Sequence, residues 1–500
     1  MTEHFDVLIV GAGLSGISSA CHLSQRCPGR SYAILEGRAS MGGTWDLFRY
    51  PGIRSDSDMF TLGYSFRPWT DPNAIADGGT ILQYIKDTAQ EYGVDRHIRY
   101  EQRVVRASWS SSEARWTLDV QQGPDRKPVR YTCNFLHMCS GYYRYEEGHS
   151  PEFRGRERFQ GRIVHPQKWT EDIEYAGKRV VIIGSGATAV TLLPELAKQA
   201  EHVTMLQRSP TYMISRPAQD KTANRLRELL PEMLAYQLTR IRNVLQTSVF
   251  YKLSKDQPKL VRRWLIGGVL KQLRGAVEPE HFTPRYNPWD QRLCLVPDGD
   301  LFETLRAGKA SVVTDHIDSF TERGIALKSG RELEADLIVT ATGLHLQLFG
   351  GMELIVDGEK RENGELMVYR GMMFDRVPNM AVSQGYTNAS WTLKCDLTCA
   401  YVCRLLNHMA ERDYQVCTPV CNDPSVERIS AAPLSSGYIV RAFERMPKAG
   451  NKRPWKNYQN YFADIASLRM NSLEDGTMRF ERASGPVREA APEAPNYALN

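Results

Sequence analysis

The sequence contains no long uninterrupted run of apolar residues. A membrane-spanning helix needs roughly 18 or more consecutive apolar residues without charge, and no such stretch occurs among the 500 positions. The residues Met1 to His4 are polar, and the apolar run from Val7 to Val10 leads directly into glycines. A secretory signal would need a longer apolar segment after basic residues. The sequence therefore predicts a cytoplasmic protein that does not cross a membrane.

Cysteine is sparse and does not follow the spacing of a disulfide-rich domain. The ten cysteines stand singly or in loose pairs, which excludes a small disulfide framework. Cys395, Cys399 and Cys403 do repeat every four residues within a helical pattern. They allow two interpretations, a metal cluster or a buried helix face. Free cysteine packs as a small hydrophobic side chain, so we favour the buried face and predict no metal site.

A strong excess of charge of one sign is also missing. The net charge is +5, and no array interleaves aromatic with basic residues. Nucleic-acid binding is therefore not indicated. The chain is too long for one ordinary domain, and its oligomeric state is not indicated by the sequence.

Near its beginning the sequence has a strand–loop–helix–strand pattern. The strand Asp6 to Val10 precedes Gly11-Ala12-Gly13-Leu14-Ser15-Gly16, a helix to about Leu23, and a strand, Tyr32 to Leu35, that ends at Glu36. The three glycines suit a tight turn, a close approach of pyrophosphate and close helix packing. The helix start offers N–H groups to phosphate, and the terminal carboxylate can bind ribose hydroxyls. The pattern predicts a dinucleotide site that contains Gly11, Gly13, Gly16 and Glu36.

The same pattern recurs in the middle of the chain with one informative difference. The strand Arg179 to Ile183 precedes Gly184-Ser185-Gly186-Ala187-Thr188-Ala189, a helix to about Gln199, and a strand, Val203 to Leu206, followed by Arg208. Arginine can pair with a 2′-phosphate, whereas a carboxylate would repel it. The second site is therefore predicted to bind NADPH in preference to NADH. Its predicted residues are Gly184, Gly186, Ala189 and Arg208.

Two dinucleotide units on one chain imply two cofactors, one of them a flavin. Buried strands ending at Gly141 and Gly343 flank the second unit, as expected where the chain crosses between two nucleotide domains. We therefore predict an α/β fold with two Rossmann-like domains, in which the NADP-binding domain is inserted in the FAD-binding domain and carries an inserted helical subdomain. The predicted boundaries are 1–147 and 345–483 for the FAD-binding domain, 148–212 and 291–344 for the NADP-binding domain, 213–290 for the helical subdomain, and 484–500 for a disordered tail.

Several motifs together carry a family resemblance. The stretch from Phe159 to Thr170 resembles the fingerprint F-x-G-x-x-x-H-x-x-x-W-P/D of the Baeyer–Villiger monooxygenases, although Thr170 stands where proline or aspartate is usual. The matching fingerprint residues are Phe159, Gly161, His165 and Trp169. The stretches 42–45, 49–56, 286–292 and 385–391 are similar to the ethionamide-activating subgroup of that family.

The resemblance implies an activity and its cofactors. It implies FAD reduced by NADPH, consumption of O2, and insertion of one oxygen atom next to a ketone carbonyl to give an ester or lactone, with S-oxygenation of sulfides or thioamides as a further activity. The flavin would carry the chemistry, and the protein would supply position and electrostatics.

The resemblance also implies particular site residues. It assigns Arg292 as the active-site cation and Asp56 as the carboxylate that orients it; without it, Asp56 would be taken for a turn residue and Arg292 for a surface residue. The further cofactor-binding residues that it implies are Gly43, Thr44, Trp45, Asp56 and Gln291, the last in place of a lysine that helps to bind NADP phosphate in many relatives. His165 could transfer protons, but packing or movement between domains is the favoured interpretation.

Other functions remain open at this point. Because of Thr170, a flavin monooxygenase that acts mainly on sulfur or nitrogen remains an alternative. A non-catalytic dinucleotide-binding protein is a second alternative, which would explain the glycine loops but not a second NADP site with Arg208. A disulfide reductase is excluded, because residues 45–51 contain no cysteine.

Residues 221–275 differ in charge from the rest of the chain. They hold twelve Lys and Arg against three Asp and Glu, together with apolar residues at helical spacing. The favoured interpretation is a solvated helical subdomain that covers the NADP-binding domain. The alternative is weak peripheral attachment to an anionic membrane surface.

Overall fold

The computed structural model describes residues 2–431 and 437–482. The predicted tail, residues 484–500, lies outside the described residues. Within them, none of the helices combines the length and apolar character needed to cross a bilayer.

The first sheet has nine strands and combines parallel with antiparallel pairing. The strand Glu3–Val10 lies between Tyr32–Leu35 and Lys127–Met138 and pairs in parallel with both. The order across the sheet is Glu359–Lys360, Glu353–Val356, Gln102–Ser110, Arg115–Gln122, Lys127–Met138, Glu3–Val10, Tyr32–Leu35 and Ile98–Arg99, with Met380–Val382 also beside Lys127–Met138.

The second sheet has five strands, all parallel. Its order is Ala310–Thr314, His202–Gln207, Arg179–Ile183, Leu337–Thr340 and Arg162–Val164. Each sheet therefore has a strand–glycine loop–helix unit at its centre, and the chain enters and leaves the second sheet between strands of the first. The predicted α/β fold with one Rossmann-like unit inserted in another is confirmed.

The α-helices cover the sheets and join them. Their bounds are Leu14–Arg26, Thr44–Leu47, Met59–Leu62, Gly78–Glu91, Ala187–Leu196, Lys221–Leu229, Glu232–Asp256, Pro258–Leu273, Asp300–Arg306, Trp391–Glu411, Gly437–Ala442 and Tyr461–Ile465. The helix predicted to reach about Gln199 ends at Leu196, because the last turn tightens: the N–H groups of Lys198 and Gln199 bond to carbonyls three residues back, at 3.3 and 3.1 Å.

Short strand pairs complete the structure. They are Met213–Arg216 with Cys294–Pro297, Leu344–Leu346 with Tyr143–Gly148, Val368–Tyr369 with Met373–Phe374, Val416–Pro419 with Met478–Glu481, Arg428–Ser430 with Lys448–Gly450, and the hairpins of Ile317–Phe320, Gly324–Leu327 and Glu332–Glu334.

The core lies on both faces of each sheet. Helices Leu14–Arg26 and Trp391–Glu411 pack on each other, and their apolar faces share one core cluster on the first sheet. Cys395, Cys399 and Cys403 are buried on the second of these helices, and Cys395 Sγ lies 3.3 Å from Ser15 Oγ. Among the described residues no group of three or more His, Cys, Asp and Glu is arranged to hold a metal ion. The three cysteines therefore form the buried helix face that we favoured.

A buried ion pair fixes the long helix Glu232–Asp256 to the helix Trp391–Glu411. Arg240 donates to the carbonyl oxygens of Phe60 and Gly63, both at 2.8 Å, and lies 3.3 Å from Asp396. Burial alone would raise the pKa of Asp396, but the His22 ring, whose Nε2 lies 3.7 Å from Asp396 Oδ1, and the charge of Arg240 lower it to about 2. The carboxylate therefore stays ionised, and the long helix is held against the first sheet's helices.

Candidate active site

The first glycine loop is shaped by contacts that only glycine permits. Gly11 has a φ of +104°, and a Cβ on it would lie 2.6 Å from the Cys139 carbonyl oxygen. A Cβ on Gly16 would collide with the carbonyl oxygen of Gly11. The helix that begins after Gly13 therefore packs against the strand as closely as backbones allow, and its first N–H groups face the loop.

Glu36 closes this loop from the neighbouring strand. Its carboxylate accepts hydrogen bonds from the backbone N–H of Ala12 at 2.7 Å and of Arg38 at 2.9 Å. Burial raises the pKa of the Glu36 carboxyl, and the two N–H donors partly offset that effect. The side chain is thus held at the strand end, where the sequence pattern predicted a ribose-binding carboxylate.

A second glycine turn lies directly against the first loop. Gly42 donates its N–H to the Ala12 carbonyl at 3.0 Å, and a Cβ on Gly43 would lie 3.1 Å from the Gly13 Cα. The short helix Thr44–Leu47 follows this turn. The two loops line a cavity of about 440 Å3, which we call the cofactor cavity. Its lining includes Gly11, Gly13, Glu36, Gly43, Thr44 and Trp45.

The glycine loop of the second sheet opens onto the same cavity. Gly184 has a φ of +133° and donates its N–H to the Leu206 carbonyl at 2.8 Å. The helix Ala187–Leu196 begins after Gly186, and Ala187 and Thr188 line the cofactor cavity. Ala189 is fully buried in that helix. Two helix starts, one from each sheet, therefore face one space.

Arg208, the residue predicted to bind the 2′-phosphate, has a second arginine, Arg441, nearby. It is exposed and follows the strand His202–Gln207. Burial and the positive charge of Arg208 lower the pKa of Arg441. Arg441 also approaches Gly343, where a Cβ would lie 3.9 Å from its Nη2. A second cation thus stands near the predicted 2′-phosphate site, and no pattern in the sequence marks it.

The fingerprint residue His165 follows the strand Arg162–Val164 of the second sheet and contacts Gly148 and Gly343, in the segments that join the two sheets. His165 Nδ1 accepts a hydrogen bond from the Gln167 N–H at 3.2 Å, so its Nε2 carries the hydrogen and donates to the Gly343 carbonyl at 3.0 Å. Burial lowers the pKa of His165, which favours the neutral ring. Both polar atoms of the ring are occupied by backbone, which supports packing at the domain junction rather than proton transfer.

The other three fingerprint residues are packing residues. Phe159 is buried in a cluster on one face of the second sheet, and Trp169 packs beside Tyr175 with ring centroids 6.2 Å apart on another. A Cβ on Gly161 would lie 2.5 Å from the Asp336 carbonyl oxygen. These contacts support a packing role on the second sheet.

Asp56 and Arg292 come together from opposite halves of the chain. Arg292 Nη1 lies 3.7 Å from Asp56 Oδ2. Asp56 follows a turn that is tied down by the Ser55 N–H, which donates to the Ala76 carbonyl at 2.9 Å. Arg292 precedes the strand Cys294–Pro297 of the second half. Their side chains are 45% and 37% exposed, so both can be reached by a small molecule.

The pair stands where two cavities meet. Asp56 and Arg292 line the cofactor cavity, and both also line a larger cavity of about 920 Å3, which we call the substrate cavity. The far wall of the substrate cavity comes from the long helix, through residues such as Val244, Leu245 and Phe250. In the part of the chain that the structure describes, neither Gln291 nor Arg208 lines either cavity; Gln291 is half-buried beside Arg292.

A loop that the sequence motifs did not assign holds Arg292 in place. Arg292 Nε donates to the Thr387 carbonyl at 3.2 Å. Thr387 in turn donates its N–H and its hydroxyl to Gln459 Oε1 at 2.8 and 3.0 Å. Asn388 also donates its side-chain amide to the Gln459 carbonyl at 3.0 Å. Thr387 lies in the quoted stretch 385–391, which could have pointed to it, whereas no sequence signal marks Gln459.

Removing the acceptor of Gln459 is expected to slow turnover without weakening nucleotide binding. In Gln459→Met, Thr387 loses two hydrogen bonds worth about 1 kcal/mol each, so Arg292 loses its fixed acceptor and kcat should fall about tenfold. The KM for NADPH should stay unchanged. Gln459→Glu keeps an accepting oxygen and should recover most of the rate. Wild-type kcat in the methionine variant would contradict this positioning role, and steady-state kinetics of all three proteins decides it.

The chain is similar to known flavin-dependent monooxygenases. The FMO-like family, described as "Flavin-binding monooxygenase-like", matches residues 5–380. The FAD-containing monooxygenase EthA of Mycobacterium tuberculosis is 53% identical over 97% of this chain and 100% of its own length. The probable FAD-binding monooxygenase AlmA of Acinetobacter baylyi is 48% identical over 97% and 98%.

Solved structures show the same fold. An oxidized steroid monooxygenase bound to NADP superposes with a TM-score of 0.76 at 23% identity, covering 96% of this chain and 100% of that one. An open cyclohexanone monooxygenase structure gives 0.71 at 18% identity, with the same coverage. The family model matches most of the chain, and the two relatives are about half identical to it along almost their whole length. This chain therefore belongs to the flavin-binding monooxygenase-like family.

Proposed function

We propose that this monooxygenase uses FAD, NADPH and O2 to insert one oxygen atom next to the carbonyl of a ketone, giving an ester or lactone. The observation that carries the proposal is the placement of the Asp56–Arg292 pair at the junction of the cofactor and substrate cavities. A fixed cation at that point suits a reaction in which negative charge develops on a carbonyl oxygen.

The cofactor cavity suits FAD. A Cβ on Gly11 would collide with the Cys139 carbonyl oxygen, so the cavity wall needs glycine there. The start of helix Leu14–Arg26 offers N–H groups to a pyrophosphate, and Glu36 can accept from ribose hydroxyls. We infer that Gly11, Gly13, Gly43 and Thr44 hold this cofactor, because all of them line the cavity.

The second loop suits NADPH. The start of helix Ala187–Leu196 faces the same cavity, and Arg208 is near enough to Arg441 for its charge to lower the pKa of that arginine. We infer that Gly184 and Gly186 shape the pyrophosphate site and that the two arginines receive the 2′-phosphate. The placement of both helix starts on one cavity would bring the nicotinamide and the flavin within reach of each other.

The chain's own residues would bind and orient the ketone. When bound, the flavin, reduced by NADPH, supplies the oxygen atom taken from O2. The Arg292 guanidinium, held by Asp56 and by the Thr387 carbonyl, donates to the carbonyl oxygen of the substrate as negative charge grows there. Asp56 balances the charge of the guanidinium and fixes its direction. Side chains of the long helix, among them Val244 and Phe250, form an apolar wall of the substrate cavity.

The test is product identification. Purified protein with its flavin would be given NADPH and 2-decanone in air, and in a parallel reaction thioanisole. Octyl acetate as the main product supports oxygen insertion beside the ketone. Sulfoxide as the only product would replace the proposal with a monooxygenase acting on sulfur, and absence of turnover with both substrates, together with absence of bound flavin, would favour a non-catalytic dinucleotide-binding protein.

Arg208→Ala is expected to lower the preference for NADPH over NADH. Charge-assisted hydrogen bonds to a phosphate are worth about 1.5–3 kcal/mol, so the KM for NADPH should rise about 10- to 100-fold while the KM for NADH stays constant. Arg441→Ala should act in the same direction. Arg115→Ala, which removes a half-buried arginine of the first sheet, should leave both constants unchanged. An unchanged KM for NADPH in both single variants would contradict this assignment, as would equal increases for the two nucleotides.

A further inference from the structure

An unpartnered apolar ridge runs along the outer face of the long helix Glu232–Asp256. Its members follow one another at intervals of three or four residues, which places them on one helix face. They are between 42% and 64% exposed. The members of this ridge are Leu234, Leu238, Ile241, Leu245, Val249 and Leu253. At 1.5 Å per residue the ridge is about 28 Å long.

The ridge is not the core-facing side of this helix. The opposite face is buried through other side chains, among them Tyr236, Arg240 and Val244. Arg240 anchors that face through its hydrogen bonds and its ion pair with Asp396. The helix therefore has two apolar faces, one covered by the protein and one left open in the described structure.

The neighbouring helix Pro258–Leu273 widens the ridge. Leu260 and Trp264 are each 58% exposed, although Val261 and Leu265 of the same helix are buried. The Trp264 ring lies 5.9 Å from the ring of Phe250, which follows Val249 of the ridge. A continuous exposed apolar surface of this size marks an interaction site in a folded protein, and tryptophan is favoured where an apolar phase meets water.

The segment that carries the ridge is strongly basic. Residues 221–275 hold twelve Lys and Arg against three Asp and Glu, while the whole chain has a net charge of only +5. The exposed basic residues of this segment are Lys221, Arg225, Lys252, Lys255, Lys259, Arg263, Lys271 and Arg274. An apolar ridge among basic side chains complements an anionic lipid surface, which attracts Lys and Arg and accepts apolar side chains. A second copy of this chain would bring the same positive charges together, which disfavours self-association as the means of covering the ridge.

The substrate cavity opens beside this ridge. Leu245 and Val249 belong to the ridge and also line the substrate cavity, the same cavity that contains Arg292. A molecule dissolved in the apolar layer under the ridge would therefore have a short path to the catalytic pair.

We propose that the ridge docks on an anionic lipid surface and that the enzyme takes a lipophilic ketone from that surface through the substrate cavity. The docking part stands on the exposed side chains and their charge; the substrate part rests on the proposed function. This favours the membrane alternative for residues 221–275 over a purely solvated subdomain.

The docking is tested by flotation of the flavin-loaded protein with vesicles of phosphatidylglycerol and phosphatidylcholine. The protein should float with the anionic vesicles at low salt and not with phosphatidylcholine alone. Leu238→Glu and Ile241→Glu alter the ridge without changing a residue of the substrate cavity. Each should weaken binding about tenfold or more, because an apolar side chain that would enter the lipid is replaced by a charge that the lipid repels. Met470→Glu, at a 78% exposed position outside the ridge, adds the same charge and should retain binding.

Charge is tested separately from the ridge. Arg263→Glu reverses a charge beside Trp264 and should weaken binding about tenfold, whereas Lys328→Glu, an exposed residue in another part of the chain, should have little effect. Absence of flotation at low salt, or equal flotation of ridge and control variants, would overturn the proposal. So would a dimer in sedimentation experiments that dissociates in Leu238→Glu, because the ridge would then be covered by a second copy.

The substrate part has its own readout. With a long-chain ketone embedded in anionic vesicles, Leu238→Glu should be at least about fivefold slower than Met470→Glu, while both convert a short water-soluble ketone at the wild-type rate. Equal rates on the embedded ketone would overturn substrate uptake from the membrane. Failure of the proposed function would instead appear as absence of ester from the soluble ketone in every protein, whatever the flotation result.

Discussion

Replacement of Arg292 by alanine is expected to lower the rate of ester formation about a thousandfold while the protein keeps its flavin. Removing one group aimed at developing negative charge typically costs about a hundred- to a thousandfold in rate, and Arg292 supplies a full charge rather than a dipole. Its place at the junction of the two cavities makes it the group best located for this task. Product formation by mass spectrometry and flavin absorbance measure the two effects separately.

Two variants show whether the loss is specific. Arg285→Ala removes a nearby exposed arginine and should leave ester formation unchanged. Arg292→Lys keeps the positive charge but loses the planar fork of donors that reaches both Asp56 and the Thr387 carbonyl, so it should recover only part of the rate. Ester formation by Arg292→Ala within about tenfold of wild type would remove this arginine from the mechanism.

Gly16→Ala is expected to abolish flavin binding and to destabilise the protein by about 3 kcal/mol or more. The added methyl group would collide with the Gly11 carbonyl oxygen, an atom of the loop itself. The helix Leu14–Arg26 would have to move off the strand and carry its first N–H groups out of line with the pyrophosphate. Flavin absorbance per protein and the thermal unfolding midpoint would both report the change.

The second nucleotide unit provides the matched control. Ala189 holds the equivalent position of the second loop, is fully buried and is accommodated there. Ala189→Gly should therefore keep both nucleotide sites and lose only about 1 kcal/mol of stability, the usual cost of glycine in a helix. If Gly16→Ala bound flavin as well as Ala189→Gly does, close packing at Gly16 would not be needed for the cofactor.

The parts of the site that lie close together in sequence were predictable. A glycine loop between a strand and a helix is specified by residues within one turn of each other, so both loops and Glu36 could be located from the amino-acid sequence alone. The Asp56–Arg292 pair could not be derived in this way, because nothing local links the two residues. It was identified by resemblance, and the fold brings the side chains within 3.7 Å.

Other features depend on packing between distant segments and had no sequence signature. Gln459 acts on Arg292 through Thr387, and Arg441 approaches Arg208 from a helix far along the chain. The apolar residues of 221–275 were recognised in the sequence, but the sequence did not show which of them the rest of the protein covers. Val244 and Leu265 are buried whereas their neighbours Leu245 and Trp264 are exposed, and a helix that is apolar on two faces does not reveal which face the protein covers.

The central claim is that an oxygen atom from O2 enters the ketone beside its carbonyl. The most direct test is turnover of 2-decanone with NADPH under 18O2, followed by hydrolysis of the product and mass spectrometry of the alcohol. The proposed reaction predicts octyl acetate in which one 18O atom per NADPH consumed is retained in the released octanol, since the inserted atom is the one that bridges the carbonyl carbon and the alkyl chain. Octanol without the label, or NADPH oxidation without any ester, would contradict it.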